Sequence, residues 1–298
     1  MCGLLIVNKP KGITSFGVVS RIRKLTGERR VGHTGTLDPM AEGVLPVLIG
    51  RATKLSDYML CADKCYKATV KLGITTDTLD ITGEVLSERK ISVTNEQIDD
   101  ALKRFTGELE QTPPMFSAIK KDGVRMYKLA REGKEVDIPP RNIRIFSIKR
   151  ESDIDESFEF NISCHVSKGT YIRSLVRDIG EYLGTGAVLS SLIRTKTAGF
   201  GIEDSVSLEK LDSQNIGDYI LPPGEAVSDL SAVSLTEAQA IMFSNGRILD
   251  LNRLPSGDFC DGETVRVNCN GELLGLATAD IKNRELKIKC LIDPLKKE

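Results

Sequence analysis

The chain has 298 residues, 40% of them hydrophobic and 28% charged, and a net charge of −1. That length fits one large domain plus a small one, and no apolar run approaches the roughly 20 residues of a membrane-spanning helix. A near-neutral chain lacks the overall signature of a nucleic-acid binder, so any such surface must come from how its charges are distributed.

Leu4 to Val7 is apolar and ends at Asn8-Lys9-Pro10. It lacks the basic start and small-residue cleavage site of a signal peptide, so it reads as a buried strand. Ser15 is placed to cap a helix with Val18, Val19, Ile22 and Leu25 on one face and Gly27 just past its end.

Val31 to Gly43, VGHTGTLDPMAEG, is the stretch around which the chain is organised. Gly32 and Gly35 permit backbone angles closed to other residues, and Pro39 pushes Asp38 into an extended conformation. A loop made this way holds a carboxylate stiffly at its tip. Arg21, Arg23, Lys24, Arg29 and Arg30 precede it, and Arg51 and Lys54 follow. An acid inside a cationic collar suggests a polyanion held by the collar and acted on by the acid. The same pattern also describes an ordinary turn in which the Asp bonds its own backbone.

Further along, Tyr66, Ala68, Val70 and Leu72 alternate with Lys67, Thr69 and Lys71, the pattern of a half-buried strand. Thr75 to Gly83 is polar and turn-rich. Thr94 and Gln97 form a capping box ahead of Ile98, Ala101, Leu102 and Phe105, and Gly107 stops that helix. Between Pro113-Pro114 and Pro139-Pro140, Met115, Phe116, Met126 and Tyr127 lie among many lysines and arginines. Aromatics interleaved with cations suit a surface that meets unpaired nucleotides, although a helical hairpin burying the apolar members would also fit.

Phe158 to Val166 alternates as a strand, with Phe158 on the apolar side and His165 on the polar one, where a surface role is expected of it. Lys168-Gly-Thr170 reads as a helix entry; Arg173 and Arg177 follow one turn apart, with Leu175, Val176 and Ile179 facing the core. An arginine in the first turn of a helix opposes the helix dipole, which points to an anion beside Arg173. Ser191 to Thr197, SLIRTKT, reads as a short basic stretch. After the hinge at Pro222-Pro223-Gly224, Thr236 and Gln239 cap another helix. Three strands follow, Glu263–Cys269, Leu273–Ala279 and Glu285–Ile292, the first two joined by the hairpin signal Asn270-Gly271.

The seven cysteines are odd in number and irregularly spaced, which fits core thiols in a reducing cytoplasm. With two histidines in the chain, a four-ligand zinc site is hard to assemble. No phosphate loop, dinucleotide fingerprint, HExxH, GxSxG or CxxC occurs. A redox-neutral reaction without cofactor or metal is therefore expected, built from carboxylate, Tyr, Lys and Arg. Lys9 to Lys54 carries nine basic and three acidic residues, and Met115 to Arg150 ten and four, so a cationic face is expected despite the balanced total.

These segments together resemble a known family. Asn8-Lys-Pro-Lys-Gly-Ile-Thr-Ser15, then Gly32-His-Thr-Gly-Thr-Leu-Asp-Pro39 with Ala41 and Gly43, is similar to the bacterial-type tRNA pseudouridine synthases of the TruB type, which act on uridine 55 of the T-loop. The likeness continues through Tyr66, Leu72-Gly73, Thr76-Asp-Thr-Leu-Asp80, Pro113-Pro-Met-Phe-Ser-Ala-Ile-Lys120 with Gly123 and Tyr127, and Gly169-Thr-Tyr-Ile-Arg173. One such motif arises by chance; all of them in order do not.

The resemblance implies an α+β fold: a mixed, largely antiparallel central sheet with flanking helices, plus a small mostly-β C-terminal module of PUA type. Residues 1–228 would form the catalytic domain, with 112–141 as a basic RNA-gripping insertion, and 229–298 the PUA-like RNA-binding domain. Asp38 would be the nucleophile, Tyr66 would stack on the flipped uracil, and Arg173 would pair with Asp38 and keep it ionised. His33 would help extrude the base, Leu192 would pack on it, Lys9 and Pro10 would buttress the Asp38 loop, and Tyr171 would line the substrate site. The implied partner is the T-arm stem-loop of tRNA, met by a cytoplasmic monomer that needs no membrane, protein partner, cofactor or metal. Two alternatives remain: a non-catalytic tRNA-binding chaperone on the same fold, and a guide-RNA-dependent relative in a multiprotein particle.

Overall fold

A computed structural model describes residues 1–117, 120–121, 124–126, 138–254 and 259–292. The first strand, β1 (Gly3–Lys9), is buried on both faces and leads into helix α1 (Ser15–Thr26). The cap of α1 is Thr14 and not Ser15: the Gly17 N–H donates to Thr14 Oγ1. Gly27, at φ 69°, closes the helix as expected. Strands β2 (Val31–His33) and β3 (Glu42–Ile49) form a hairpin around the Asp38 loop, and the short helix α2 (Ser56–Leu60) leads to β4 (Lys64–Leu72). In β4 the alternation expected from sequence is seen, with Tyr66, Ala68, Val70 and Leu72 buried.

A small ladder, β5 (Ile74–Thr76) with β6 (Val85–Glu88), precedes α3 (Asn95–Arg104), which starts at the Thr94–Gln97 capping box. Next come β7 (Gly107–Gln111), the two-residue strands β8 (Lys120–Lys121) and β9 (Val124–Arg125), β10 (Arg141–Arg150) and β11 (Glu159–Val166). Half of the basic 112–141 stretch, Tyr127 included, lies outside the described residues. Phe158 departs from expectation. It stands before β11 at φ 60°, largely exposed, because its N–H donates to the Asp155 carbonyl in the turn that closes the strand pair.

Helix α4 (Ile172–Tyr182) then packs against β12 (Ala187–Thr197). The SLIRTKT stretch is thus the second half of a core strand: Leu192, Arg194 and Thr197 are buried. Strands β13 (Phe200–Gly201) and β14 (Val206–Ser207) complete a ten-stranded sheet ordered β14-β1-β3-β12-β4-β11-β10-β7, with β2 on β3 and β13 on β12. Its pairs are antiparallel except β1–β14 and β3–β12. Helices α1, α3 and α4 bury Val18, Val19, Ile22, Ile98, Ala101, Leu102, Leu175 and Val176 against one face of this sheet.

A second sheet, β15-β17-β18-β19-β16, is built from β15 (Ala232–Ser234), β16 (Leu249–Asp250), β17 (Thr264–Cys269), β18 (Glu272–Asp280) and β19 (Glu285–Leu291), with α5 (Glu237–Ser244) beside it. Asn270 and Gly271 both take positive φ at the β17–β18 turn, as a two-residue hairpin requires. Leu273, Leu276 and Ile292 of this part join Leu4, Ile6, Val44 and Leu48 in one apolar cluster. The C-terminal sheet therefore covers the back of the large sheet, opposite helices α1, α3 and α4.

Candidate active site

Residues 34–41 close the β2–β3 hairpin, and most of their fixed geometry comes from outside the loop. Ser15 Oγ donates to the Leu37 carbonyl (3.0 Å) and accepts from the Leu37 N–H (2.8 Å). The Gly12 N–H donates to the Pro39 carbonyl (2.7 Å), and Thr34 N–H to that of Pro46 (3.0 Å). Lys9, fully buried, donates from Nζ to the carbonyls of Pro10 (2.9 Å) and Ile13 (2.8 Å), and so braces the turn from which Gly12 reaches the loop. Gly35 and Gly43 both sit at φ 103°, where other residues are strained. Gly32, by contrast, is an ordinary residue of β2 and supplies no left-handed turn.

At the loop's tip the Asp38 side chain is 35% exposed, open enough to meet a ligand. Arg173, in the first turn of α4, places Nε 2.9 Å from Asp38 Oδ2. The same buried guanidinium donates to the carbonyls of Thr78 (2.9 Å) and Phe116 (2.8 Å), and lies 3.9 Å from Asp80 Oδ2. Asp80 is itself buried; its Oδ1 accepts from Thr78 Oγ1 and from the N–H and Oγ1 of Thr82. One cation thus serves two carboxylates and two peptide carbonyls, which holds its plane fixed.

Burial lifts the Asp38 pKa above the usual carboxylate value, and the charge of Asp80 adds to the lift; Arg173 and Lys9 oppose it. The pairing with Arg173 therefore limits a rise caused by desolvation, where the sequence led us to expect a carboxylate held simply ionised. Burial also lowers the Lys9 pKa to about 8, against the pull of Glu42 and Asp38.

Tyr66 projects from β4 on the face that carries the helices, and burial raises the pKa of its hydroxyl. Leu192 of β12 lies buried across from Ala68 and shares this wall. His33 ends β2; burial and the charge of Arg194 lower its pKa, and its Nδ1 is enclosed without a partner. Tyr171 caps α4, with its backbone clamped in both directions by the Gln111 side chain (2.8 and 3.1 Å). Burial raises the Tyr171 hydroxyl's pKa, and that hydroxyl feels both Arg173 and Asp38. His165 stands apart on the sheet's other face, 4.6 Å from the ring of Phe146 and 3.7 Å from Asp63.

Four further residues do structural work that the sequence did not flag. Ser15 pins the loop, Gln111 sets the start of α4, and Asp80 shares Arg173. Arg194, the fourth, is fully buried in β12 and donates from Nε to the Val44 carbonyl (2.7 Å) and from Nη2 to that of Gly35 (3.1 Å). Asp80 was visible within the Thr76–Asp80 motif, but only coordinates bring it to Arg173. Among the described residues, no three His, Cys, Asp or Glu side chains gather where they could hold a metal ion.

The same architecture recurs in solved RNA–protein machinery. A chain of a Cbf5–Nop10–Gar1 complex superposes with a TM-score of 0.75 and 26% identity, covering 98% of this chain and 85% of that one. A chain from an H/ACA RNP bound to a substrate RNA containing 2′-deoxyuridine gives 0.75 and 25% over the same shares. The fold is that of the pseudouridine synthases.

Two family models divide the front of the sequence between them. The one described as "TruB family pseudouridylate synthase (N terminal domain)" matches residues 23–172, and "tRNA pseudouridylate synthase B C-terminal domain" matches 173–226. The chain is similar to a tRNA pseudouridine synthase B of Clostridium novyi, with 43% identity over 98% of this chain and all of that one. A tRNA pseudouridine synthase B of Clostridium kluyveri is 45% identical over 83% and 84% of the two chains. The chain belongs to the TruB family of pseudouridine synthases.

Proposed function

We propose that the chain isomerises uridine 55 in the T-loop of tRNA to pseudouridine, with Asp38 as the nucleophile. The observation that carries this reading is the half-exposed Asp38 carboxylate paired with the buried Arg173, with Tyr66 and Leu192 in the apolar cluster on the same face of the sheet, in a chain of this family. The isomerisation breaks an N-glycosidic bond and forms a C–C bond between the same base and ribose, so nothing is oxidised and nothing external is consumed. The base must leave its stack first, at about a few kcal/mol. Tyr66 would then stack on it, Leu192 pack beside it, and His33, neutral in its enclosed setting, take the space it vacates. Three routes start from the Asp38 carboxylate: attack on C6, attack on C1′, or help in removing the C2′ proton.

Binding is assigned to the T-arm of tRNA through the basic 112–141 segment and the module at 229–298, acting in the cytoplasm as a monomer with no protein partner. No described helix is long and apolar enough to cross a membrane. A guide-dependent role receives less support, because the tRNA pseudouridine synthase B of Clostridium novyi matches at 43% over 98% of the chain whereas the chain from the Cbf5–Nop10–Gar1 complex matches at 26%.

The test uses unmodified tRNA transcript tritiated at uracil C5. Wild type alone should release tritium and Asp38→Asn should not. No release by the wild type would favour the chaperone or guide-dependent reading.

A further inference from the structure

Arg194 is a buried cation without a carboxylate. It is 1% exposed, its hydrogen bonds go to two backbone carbonyls, and its charge acts on the hydroxyl of Tyr66, with no ion pair among the described residues. Charges are rarely buried without a partner of opposite sign, so its placement needs a reason beyond stability. The partners supply one. Val44 is the third residue of β3, just after the Asp38 loop, Gly35 lies inside that loop, and Tyr66 faces Arg194 directly across the β12–β4 ladder. A guanidinium offers only donors, in a rigid plane, so every one of these contacts ends on an oxygen that it orients.

The glycines around it show how closely the chain approaches this residue, its side chain at Gly35 and its backbone, through the β3–β12 pairing, at Gly43. A Cβ on Gly35 would stand 3.3 Å from Nη1 of Arg194, and one on Gly43 would stand 2.2 Å from the Arg194 carbonyl oxygen. The loop is moulded over Arg194 at both ends.

We propose that Arg194 is a positioning residue of the reaction, locking the Tyr66 hydroxyl and the Asp38 loop into one rigid unit so that ring and carboxylate meet the base at a fixed spacing. The inference rests on the tRNA reading above and adds to it the part that sets the distance between its two central groups. The charged or titratable groups around this unit are Lys9 on β1, His33 on β2, Asp38 in the loop, Lys64 on β4 and Cys164 on β11. Of the groups that touch Tyr66's charge, Arg194 exerts the largest lowering pull, so its removal moves the Tyr66 titration upward.

The test compares wild type, Arg194→Gln and Arg194→Lys in single-turnover tritium release from tRNA, with tRNA affinity measured separately. In the same proteins, 13C-ζ-tyrosine labelling follows Tyr66, its signal identified by loss in Tyr66→Phe. We expect Arg194→Gln to slow turnover roughly 100-fold, as a misplacement of about 1 Å does, with tRNA affinity kept and the Tyr66 signal titrating at higher pH. Arg194→Lys restores the charge without the fork and should leave turnover well below wild type. Turnover within about threefold of wild type in both variants, or an unmoved Tyr66 signal, overturns the proposal. Should Arg194→Gln fail to fold, the lysine variant decides, and wild-type turnover in it overturns the fork's role. A wild type that releases no tritium defeats the tRNA reading and not the positioning claim, which the Tyr66 signal still tests.

Discussion

The Asp38 carboxyl stands under opposed pulls, with burial and Asp80 raising its pKa and Arg173 and Lys9 lowering it. The ionised form is the reactive one in the proposed chemistry, so the acid limb of the pH–rate profile should lie above that of a free aspartate. Arg173→Ala removes the strongest opposing charge. It should push that limb to higher pH and cut single-turnover release at neutral pH by about 100-fold, with tRNA affinity far less affected. Asp80→Asn should move the limb the other way, to lower pH, whatever it does to the plateau. Lys9 gives a stability signature of its own. Its folded pKa, about 8, is below the unfolded value near 10.5, so the unfolded chain binds more protons between those two pH values. Stability should rise with pH across that window, by up to about 3 kcal/mol. Urea unfolding at pH 7, 9 and 10 should show this rise diminished in Lys9→Met. Asp38 and Arg173 were legible in the sequence for local reasons, a proline fixing one and an ill-placed helix charge marking the other. Asp80 and Arg194 were not, because the partner of the first lies about 90 residues away and those of the second 150 or more.

The helix α1 separates two jobs that adjacent residues perform. Thr14 caps the helix, while Ser15 turns inward and holds both backbone groups of Leu37. Thr14→Ala should cost about 1 kcal/mol of stability, the usual worth of a cap, with turnover near wild type. Ser15→Ala leaves two buried backbone groups unpaired, at about 1–3 kcal/mol, and should slow turnover too because the Asp38 loop loses its tether. Thermal unfolding and single-turnover rates on the pair separate the effects. Elements whose pattern is local were readable from the residues: the alternation of β4 and the capping boxes of α3 and α5. Strand β12 was misread because Arg194 and Lys196 look like surface residues until β3 and β4 close over the first of them. Phe158 was misread because period-two spacing carries no warning of a turn residue at positive φ.

Across the whole molecule, the two sheets share one apolar seam in which Leu273, Leu276 and Ile292 cover Leu4, Ile6, Val44 and Leu48. The composition suggested a large and a small unit, and the cysteines and motifs excluded several chemistries, but no periodicity announces which strand backs onto which. That contact is set by the long-range order of the fold. Removing residues 229–298 should therefore do more than weaken RNA binding: it bares the back of β1 and β3. The truncated protein should unfold at lower temperature and self-associate, as read by calorimetry and light scattering, since large exposed apolar patches drive association.

Phe116 links the ion pair to the neighbouring chain. Its carbonyl takes a hydrogen bond from Arg173, the cation that steadies Asp38. The polypeptide enters the lysine- and arginine-rich stretch beyond it directly from that link. On the proposed reading, a load that a docked nucleic acid puts on this stretch would reach Asp38 through this peptide oxygen, alongside the Gln111 and Thr112 contacts to the same helix. If the proposed roles hold, grip and chemistry would share a joint here, and loosening either end would be felt at the other.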